Sequence, residues 1–454
     1  MTAAGCEPDG IAEILRDAIE TADWTRLRAR LTHDAVLDTS SEAGRRQIVG
    51  ADAIAAHLAR PGPGEIYDWD AQEWPTGVAL SFEWNGAGGT DRRRWYVRTD
   101  TAGMVRELWS TAARPTVVVA DVVAPPPALL KRLGIAQVEP LSHGGNSGAA
   151  LLRARGAHGT QFVLKRVGTG GADWLARATR DRGRTAQLYA AGAFERMPPS
   201  VAHGMVAVER SEDGAWIAMR DVHDLLLPTT ARLSRGESRR ILDAAAQLHR
   251  AFRGRVPDGA ASLSDRIAMS SPAVAEAERG NPDLLPKQFE QGWDAFEELV
   301  DADVADAVLE LTRSPSALAD GLLRAHRAST LIHGDLRGDN LGLDGDRLVL
   351  IDWDLATAGT PTVEFAWYLA HSARRIDATH EQVEADYRAA RADDVAEEEV
   401  ELGMLSGLVQ YGWRIAHSAR VHPDPAETAW GRMELAWWVP RVRAALARLG
   451  GPPR

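Results

Sequence analysis

Residues 333–340 read His-Gly-Asp-Leu-Arg-Gly-Asp-Asn, and residues 348–354 read Leu-Val-Leu-Ile-Asp-Trp-Asp. The first stretch places Asp335 and Asn340 five positions apart in a short loop, and the apolar run of the second predicts a buried strand that ends at Asp352. Phosphoryl transfer needs a carboxylate that accepts or orients the proton of an acceptor hydroxyl. It also needs an amide oxygen and a second carboxylate that hold Mg²⁺ across nucleotide phosphates. One such Asp alone is commonly a turn cap, but the joint pattern favours phosphoryl-transfer chemistry.

The same spacing occurs in protein kinases, which have His-Arg-Asp, four residues, Asn, and later Asp-Phe-Gly. Here Gly334 replaces the Arg, and Trp353-Asp354 replaces Phe-Gly. With those two changes, residues 128–440 resemble the aminoglycoside phosphotransferase and choline-kinase-like family. The resemblance implies that Asp335 is the catalytic base and that Asn340 and Asp352 are magnesium ligands. Further matches to the family are Leu248-His249, Gly359-Thr360-Pro361 and Glu364-Phe365-Ala366.

A nucleotide-binding lobe is expected upstream of these motifs. Residues 138–154 read as strand, glycine turn and strand, in which the turn contains Gly144, Gly145 and Ser147. Glycine and small polar residues let backbone N–H groups approach phosphates closely. Any tight hairpin uses the same residue types, so this turn alone is weak evidence.

Lysine is scarce in this chain, which draws attention to one position. The three lysines are Lys131, Lys165 and Lys287, and Lys165 ends the apolar stretch 161–165. A lone strand lysine is usually a solvated edge residue. A kinase, however, uses a compact ammonium to hold the α- and β-phosphates, and the arginine fork has a different geometry. We predict that Lys165 contacts the nucleotide phosphates.

The kinase pattern pairs that lysine with a glutamate on the following helix, and this sequence departs from the pattern. Thr185 or Gln187 stands where the glutamate is expected. The partner is then absent, or it is Asp181 or Glu195 on a shifted helix.

After a further strand at 215–219, the segment containing Met219, Asp221 and Val222 resembles the hinge between the two kinase lobes. The resemblance implies that backbone groups there bind adenine.

The first 110 or so residues form a different pattern. Apolar residues at helical spacing predict helices at 11–19, 24–31 and from 50 onward, and strands are predicted at 65–74, 78–84, 92–99 and 104–112. This order resembles the nuclear-transport-factor-two-like, or SnoaL-like, cone. Six tryptophans lie here, and they either line a ligand pocket or fill a concave sheet. They are Trp24, Trp69, Trp74, Trp84, Trp95 and Trp109.

The expected fold class is therefore α+β: a cone with a curved antiparallel sheet, followed by a two-lobed protein-kinase-like fold. The expected divisions are a cone at 1–115, a proline-rich linker at 116–127, a nucleotide-binding lobe at 128–222 and a mainly helical lobe with the substrate site at 223–454.

Composition excludes several classes of protein. Asp and Glu number 64 against 52 Lys and Arg, giving a net charge of −12, so no nucleic acid is expected as a partner. A single cysteine, Cys6, excludes a disulfide framework. No apolar run approaches the length that spans a bilayer, so no membrane partner is expected and the localisation is predicted to be cytoplasmic. No lysine follows a glycine, so a P-loop is excluded.

The sequence thus predicts an ATP- and Mg²⁺-dependent kinase of a small hydroxylated molecule such as an aminoglycoside or amino sugar, with GTP as the alternative donor. The acidic segment 377–401 either attracts a cationic substrate or is only a solvated helix face. A homodimer through the N-terminal part is a further expectation. The alternatives are a catalytically weak kinase-fold binding or scaffold protein, and an enzyme whose activity resides in the N-terminal cone.

Overall fold

The fold is taken from a computed structural model of the chain. It describes residues 10–41, 44–74, 77–86, 89–112, 124–140, 151–156, 159–168, 174–211, 214–227, 232–280, 284–391, 395–422 and 425–449. Helices and largely antiparallel sheets share the chain, which confirms the predicted α+β class. Over these described ranges, no helix combines the length and the apolar character needed to cross a membrane.

The N-terminal part is a six-stranded sheet with three helices. They are α1 (Ile11–Thr21), α2 (Thr25–Arg30), β1 (Leu31–Ser41), β2 (Gly44–Val49), α3 (Ala51–Leu58), β3 (Glu65–Trp74), β4 (Gly77–Gly86), β5 (Gly89–Thr99) and β6 (Val105–Ala112). The strand order is β2-β1-β6-β5-β4-β3. Because side chains two residues apart share a face of a strand, Val78, Leu80 and Phe82 are all buried in the core of this part.

The helices-first prediction was wrong for residues 31–49. Strands β1 and β2 lie between α2 and α3, and β1 pairs in parallel with β6. Ala35 and Leu37 of β1 are buried, but polar residues follow them, so the local pattern is short. The pairing joins opposite ends of this part, and such a non-local ladder leaves no local signal in sequence.

The next part is a five-stranded antiparallel sheet in the order β11-β12-β9-β8-β7. Its elements are α4 (Pro127–Leu133), β7 (Ile135–Pro140), β8 (Leu151–Gly156), β9 (Gln161–Gly168), α5 (Trp174–Ala178), α6 (Arg184–Ala190), β10 (Val201–His203), β11 (Met205–Ser211) and β12 (Gly214–Arg220), of which β10 lies outside this sheet. Pro127 opens α4, a position at which proline costs no hydrogen bond. Leu129, Phe162, Leu164 and Trp216 belong to the small core of this sheet.

The remainder is mainly helical. Its helices are α7 (Arg235–Phe252), α8 (Leu263–Ala268), α9 (Pro272–Ala277), α10 (Leu284–Leu299), α11 (Ala302–Arg313), α12 (Ser316–His326), α13 (Pro361–Ser372), α14 (His380–Arg391), α15 (Glu397–Arg420) and α16 (Pro425–Arg448). Its strands are β13 (Leu233–Ser234), β14 (Ala261–Ser262), β15 (Thr330–Ile332), β16 (Leu341–Asp344), β17 (Arg347–Leu350), β18 (Thr357–Gly359) and β19 (Ile376–Asp377).

Helix α15 is buried along most of its length and packs against α10, α13 and α16. Strand β15 leads into the 333–340 loop, and the β16–β17 hairpin follows it. The loop is therefore held between a strand and a hairpin, and α13 packs beside β15.

Candidate active site

The loop after β15 brings Asp335 and Asn340 into contact. The Asn340 Nδ2 donates hydrogen bonds to Oδ2 of Asp335 at 2.8 Å and to the Asp335 carbonyl at 3.1 Å. Both side chains are buried. Because the amide nitrogen of Asn340 is used inside the loop, its Oδ1 is the atom left to ligate a cation.

Gly334 has to be glycine in this loop. Its φ is +80°, a conformation that L side chains rarely adopt, and a Cβ at this position would clash with the carbonyl oxygen of Leu355. Its N–H donates to Glu364 at 2.7 Å, and its carbonyl accepts from the Arg266 guanidinium at 2.6 and 3.0 Å. The replacement of Arg by Gly in the kinase motif thus has a structural reason.

Glu364 connects this loop to helix α7. One carboxylate oxygen accepts the Gly334 N–H, and the other lies 2.6 Å from Nε2 of His249. Burial raises the pKa of Glu364, but His249 and the backbone N–H lower it by more, so its pKa lies below the usual range. The family-like segments around His249 and Glu364 therefore act by holding the loop.

Asp335 has two further donors besides Asn340. Arg337 Nε lies 3.0 and 3.1 Å from its two oxygens, and Trp367 Nε1 donates at 3.0 Å. Burial raises the pKa of Asp335, but the positive charge of Arg337 and of other nearby cations outweighs it, so the pKa lies below the usual value. Asp335 is therefore ionised at neutral pH.

Arg266, on α8, contacts the Asp335 loop through the Gly334 carbonyl. It is 1 % exposed, and its guanidinium carbon lies 4.1 Å from the centroid of the Trp367 ring. It also donates to Gln410 on α15 at 2.6 Å. Burial lowers the pKa of Arg266 to about 10, so the guanidinium still carries its charge at neutral pH. The sequence analysis did not identify Arg266 or Trp367. A lone arginine on a short helix such as α8 resembles a surface residue.

Lys165 forms ion pairs with both aspartates of the Asp352-Trp353-Asp354 segment. Its Nζ lies 2.8 Å from Oδ1 of Asp352 and 2.6 Å from Oδ2 of Asp354. Asp352 has a φ of +63°, uncommon for a non-glycine residue. Burial lowers the pKa of Lys165, but the two carboxylates more than offset this, so its pKa lies above the usual value. The structure thus joins Lys165 to Asp352, as expected for one site.

Asp354 in turn contacts the helix that lacks the expected glutamate. The Thr185 hydroxyl donates to Oδ1 of Asp354 at 2.6 Å, and the Arg184 side chain donates to the Asp354 carbonyl. Lys165 forms its ion pairs with Asp352 and Asp354, so the suggestion of Asp181 or Glu195 is corrected. Asp181 instead accepts the N–H of Arg184 at 2.6 Å, at the start of α6.

The structure gives less information about the other residues that were predicted to bind the nucleotide. Gly144, Gly145 and Ser147 lie outside the described residues. Met219 pairs with Val163 of β9 near the end of β12. The Asp221 N–H donates to the Gln161 carbonyl at 3.1 Å, and the Val222 carbonyl accepts the Leu225 N–H at 2.9 Å. The adenine-binding role of this segment stays a prediction.

Several carboxylates of the acidic segment are paired within the chain. Glu399 is 4 % exposed and bonds to Arg391 and His326, which excludes a solvated role for it. Other acids of the segment are paired with arginines of the chain as follows: Glu381 with Arg441, Glu384 and Glu397 with Arg388, Asp386 with Arg235, and Glu401 with Arg448. These six carboxylates are therefore engaged with residues of the chain itself, and the attraction of a cationic substrate by the segment stays a prediction.

A metal ion here would have hard oxygen ligands. Asn340 offers an amide oxygen and Asp352 a carboxylate, the ligand types that Mg²⁺ prefers. Over the described part of the chain, no three His, Cys, Asp or Glu side chains cluster as a metal site. Mg²⁺ commonly takes one or two carboxylates and completes its shell with water and substrate phosphates, so the residues present fit that metal.

The chain resembles known phosphotransferases in sequence. The sequence model of the phosphotransferase enzyme family matches residues 137–399, which is more than half of the 454 residues. No curated protein matches the chain significantly. The family match begins after the first 110 or so residues, whose resemblance to a cone stays a prediction.

Solved structures of several phosphotransferases are among those that the chain is similar to. An aminoglycoside phosphotransferase from Alicyclobacillus acidocaldarius is 17% identical, with 73% of this chain and 98% of that chain covered and a TM-score of 0.38. A choline/ethanolamine kinase family protein from Mesorhizobium loti is 17% identical, with 72% and 96% covered and a TM-score of 0.42. The family match confirms the expected kinase-like fold and the expected small-molecule kinase with a hydroxyl acceptor. The chain therefore belongs to the phosphotransferase enzyme family.

Proposed function

We propose that the protein transfers the γ-phosphoryl group of ATP, in the presence of Mg²⁺, to a hydroxyl of a small molecule. The main support is a contact between two segments that lie far apart in the sequence. Nζ of Lys165 lies 2.8 Å from Oδ1 of Asp352. Asp335 and Asn340 occupy the adjacent loop, 2.8 Å from each other. GTP is the alternative donor.

In this proposal Asp335 is the catalytic base. Its lowered pKa keeps it ionised, and its oxygens are already oriented by Trp367 and Asn340, so an acceptor hydroxyl can donate its proton to a fixed carboxylate. Such preorganisation avoids the cost of orienting the base during reaction. Nε of Arg337 lies within hydrogen-bond distance of both Asp335 oxygens. An acceptor hydroxyl therefore has to bind an oxygen alongside Arg337 or displace the arginine.

Asn340 and Asp352 would hold Mg²⁺, which neutralises phosphate charge when it is bound. Lys165 would hold the α- and β-phosphates, together with backbone N–H groups of Gly144, Gly145 and Ser147. Met219, Asp221 and Val222 would border the adenine.

In this proposal Asp354 has the role of the glutamate that is missing from the helix. It holds the Lys165 ammonium at 2.6 Å, while the Thr185 hydroxyl fixes its other oxygen at 2.6 Å. The helix thus reaches the lysine through the Asp354 carboxylate. The missing glutamate therefore does not by itself favour a kinase-fold scaffold, because in this proposal Asp354 anchors the lysine.

The acceptor class that we propose is a ring-containing polyol such as an aminoglycoside, an amino sugar or a related metabolite. Aromatic side chains lie next to the catalytic carboxylate. Trp367 donates to Asp335, the His371 ring lies 4.1 Å from the Trp367 ring, and the Tyr411 ring lies 3.9 Å from that of His371. Aromatic faces suit the C–H face of a sugar ring. The proposal does not depend on the charge of the acceptor, because several acids of the segment 377–401 are already paired with arginines of the chain.

The test is a screen for nucleotide consumption over aminoglycosides, amino sugars, nucleosides and amino alcohols, with ATP or GTP and with or without Mg²⁺. We expect turnover that requires Mg²⁺ and one acceptor class. If the wild-type protein binds nucleotide but transfers phosphate to none of these hydroxyls, the binding-protein alternative is favoured. If it neither binds nor turns over nucleotide with Mg²⁺, the proposal fails.

A further inference from the structure

His371 lies close to the carboxylate of Asp335, on the same helix as Trp367. His371 and Trp367 are one turn of α13 apart, and the centroids of their rings are separated by 4.1 Å. Trp367 in turn donates its indole N–H to Asp335 at 3.0 Å. The centroid of the His371 ring also lies 3.9 Å from that of Tyr411. The imidazole is thus packed against two aromatic rings, and one indole ring separates it from the catalytic carboxylate.

The position of the hydrogen on the His371 ring follows from its one backbone contact. Nδ1 lies 3.0 Å from the Trp367 carbonyl oxygen, and because a carbonyl only accepts, Nδ1 carries the hydrogen. Burial, followed by the charge of Arg337, lowers the pKa of His371 to about 3, although Asp335 acts in the opposite direction. The ring is therefore neutral at neutral pH. A neutral ring with its hydrogen on Nδ1 has a lone pair on Nε2, so Nε2 is a hydrogen-bond acceptor.

Nε2 of His371 has no hydrogen-bond donor within the described part of the chain, where the Nδ1 contact is the one hydrogen bond of this ring. The two nitrogens point to different sides of the ring, so Nε2 points away from the α13 backbone. Nearby donors are used elsewhere: Arg337 and Trp367 donate to Asp335, and Arg266 donates to the Gly334 carbonyl. His371 is half-buried, and a polar atom in such a place takes its partner from water or from a ligand.

We propose that Nε2 of His371 accepts a hydrogen bond from a second hydroxyl or amino group of the acceptor molecule, on the carbon next to the hydroxyl that Asp335 activates. This inference rests on the proposed phosphoryl transfer, because it takes the surroundings of Asp335 as the acceptor site. Since one indole ring separates the two residues, they suit groups on neighbouring carbons rather than groups at opposite ends of a molecule.

The proposal narrows the acceptor class to 1,2-diols and 1,2-amino alcohols. An ether, carbonyl or carboxylate oxygen at the second position carries no hydrogen and would face the lone pair of Nε2. A site that hydrogen-bonds a hydroxyl or amine discriminates against an analogue without that group, because its own polar atom is then left unpaired. His371 is in this proposal a specificity-determining residue, and Asp335 remains the base.

Three ring alcohols test the proposal on the full-length protein: trans-cyclohexane-1,2-diol, trans-2-methoxycyclohexanol and cyclohexanol. The first has a second donor on the neighbouring carbon, the second has an oxygen there without a hydrogen, and the third has neither. Titration by ligand-observed NMR should give a dissociation constant for the diol at least about tenfold lower than for the other two. His371→Phe keeps a ring between Trp367 and Tyr411 but removes Nε2, so its three dissociation constants should agree within about threefold.

His203→Phe is the matched control. The His203 ring also contacts a backbone carbonyl, that of Phe194 at 3.1 Å, and packs against the Phe194 ring, but it lies on β10. This variant should keep the wild-type preference for the diol. Absence of diol binding, equal binding of diol and ether to the wild type, or a preference that persists in His371→Phe would overturn the proposal.

The comparison of diol and ether in the wild type decides the question if His371→Phe does not give a native circular dichroism spectrum. Nucleotide is absent from these titrations, so the two proposals fail separately. Phosphoryl transfer by a protein that shows no preference for the diol refutes the role of His371 alone. A preference that His371→Phe abolishes, in a protein that transfers no phosphoryl group, refutes the transfer alone.

Discussion

The loop around Asp335 and the N-terminal sheet both bury polar groups, but the groups around the loop are mostly charged and paired, whereas those of the sheet include several neutral indole N–H groups without partners among the described residues. Two buried charged residues that hold the loop have partners: Glu364 bonds to Gly334 and His249, and Arg266 bonds to Gly334 and Gln410. In the N-terminal sheet, the buried indole N–H groups of Trp84 and Trp95 have no partner within the described residues. A network of paired charges fixes the geometry of the loop from within, whereas a buried donor without a partner costs free energy and holds nothing in place.

The largest effect expected in this comparison is on stability. Arg266→Met keeps much of the side-chain volume but leaves the Gly334 carbonyl and Gln410 without their charged donor. We expect a loss of about 3–5 kcal/mol in the free energy of unfolding, measured by urea denaturation. Arg279→Met is the control, since Arg279 forms an exposed pair with Glu290, and its loss should cost less than about 1 kcal/mol. Equal effects of the two substitutions would show that the network adds nothing.

The second effect concerns the lysine anchor. Lys165→Arg keeps the charge but not the compact ammonium, and Asp354→Asn keeps the shape but not the charge. Each substitution should raise the KM for nucleotide and lower kcat, so that kcat/KM falls by about 10²-fold in each variant. Asp346→Asn is the control, because Asp346 is 97% exposed in its loose pair with Arg240. Near-normal kinetics of Asp354→Asn would show that Asp354 does not anchor the lysine.

The sequence predicted the parts of this site that rest on residue type and local spacing. Asp335 and Asn340 are five residues apart in one loop, and Lys165 was recognised because lysine is scarce. The partner of Lys165 was not found, since Asp354 lies 189 positions away along the chain and only the fold brings the two together. A pairing over that distance has no local pattern to reveal it.

The fold was predictable to a similar extent. Helices α1 and α3 and strands β3 to β6 follow from short periodic patterns, whereas β1 and β2 were missed because β1 depends on its parallel pairing with β6. The network around Arg266 was missed for a related reason. Its members lie on separate elements, and their burial is decided by tertiary packing.

The third prediction concerns pH. Burial, followed by the charge of Arg337, lowers the pKa of His371 to about 3. The unfolded chain therefore binds a proton at this histidine below about pH 6.5 while the folded chain does not, so this contribution destabilises the fold as pH falls from about 6.5 towards 3. Asp335, Arg266 and the packed rings of Trp367 and Tyr411 also face His371.

His371→Phe should remove this part of the pH dependence. Urea denaturation of both proteins between pH 5 and pH 7 should give a flatter curve of unfolding free energy for the variant. His203, whose pKa burial also lowers, is present in both proteins and cancels in the difference. Parallel curves over this range would contradict the assignment.

The smallest effect is expected from Trp95, in the core of the N-terminal part. Trp95→Phe removes an N–H that has no partner to lose, so the kcat of phosphoryl transfer should stay within about twofold of the wild type. Steady-state kinetics with the acceptor found in the screen measures this. A large fall in kcat would show that the N-terminal core and the Asp335 centre are coupled.

The most direct test of the proposed chemistry is the kcat of Asp335→Asn with ATP, Mg²⁺ and that acceptor. Because the substitution keeps the shape of the side chain and removes the base, kcat should fall by about 10³-fold or more. The dissociation constant for nucleotide, measured by calorimetry, should stay within about threefold of the wild type, since the Lys165 anchor is untouched. A kcat within tenfold of the wild type would contradict the assignment of Asp335 as the catalytic base.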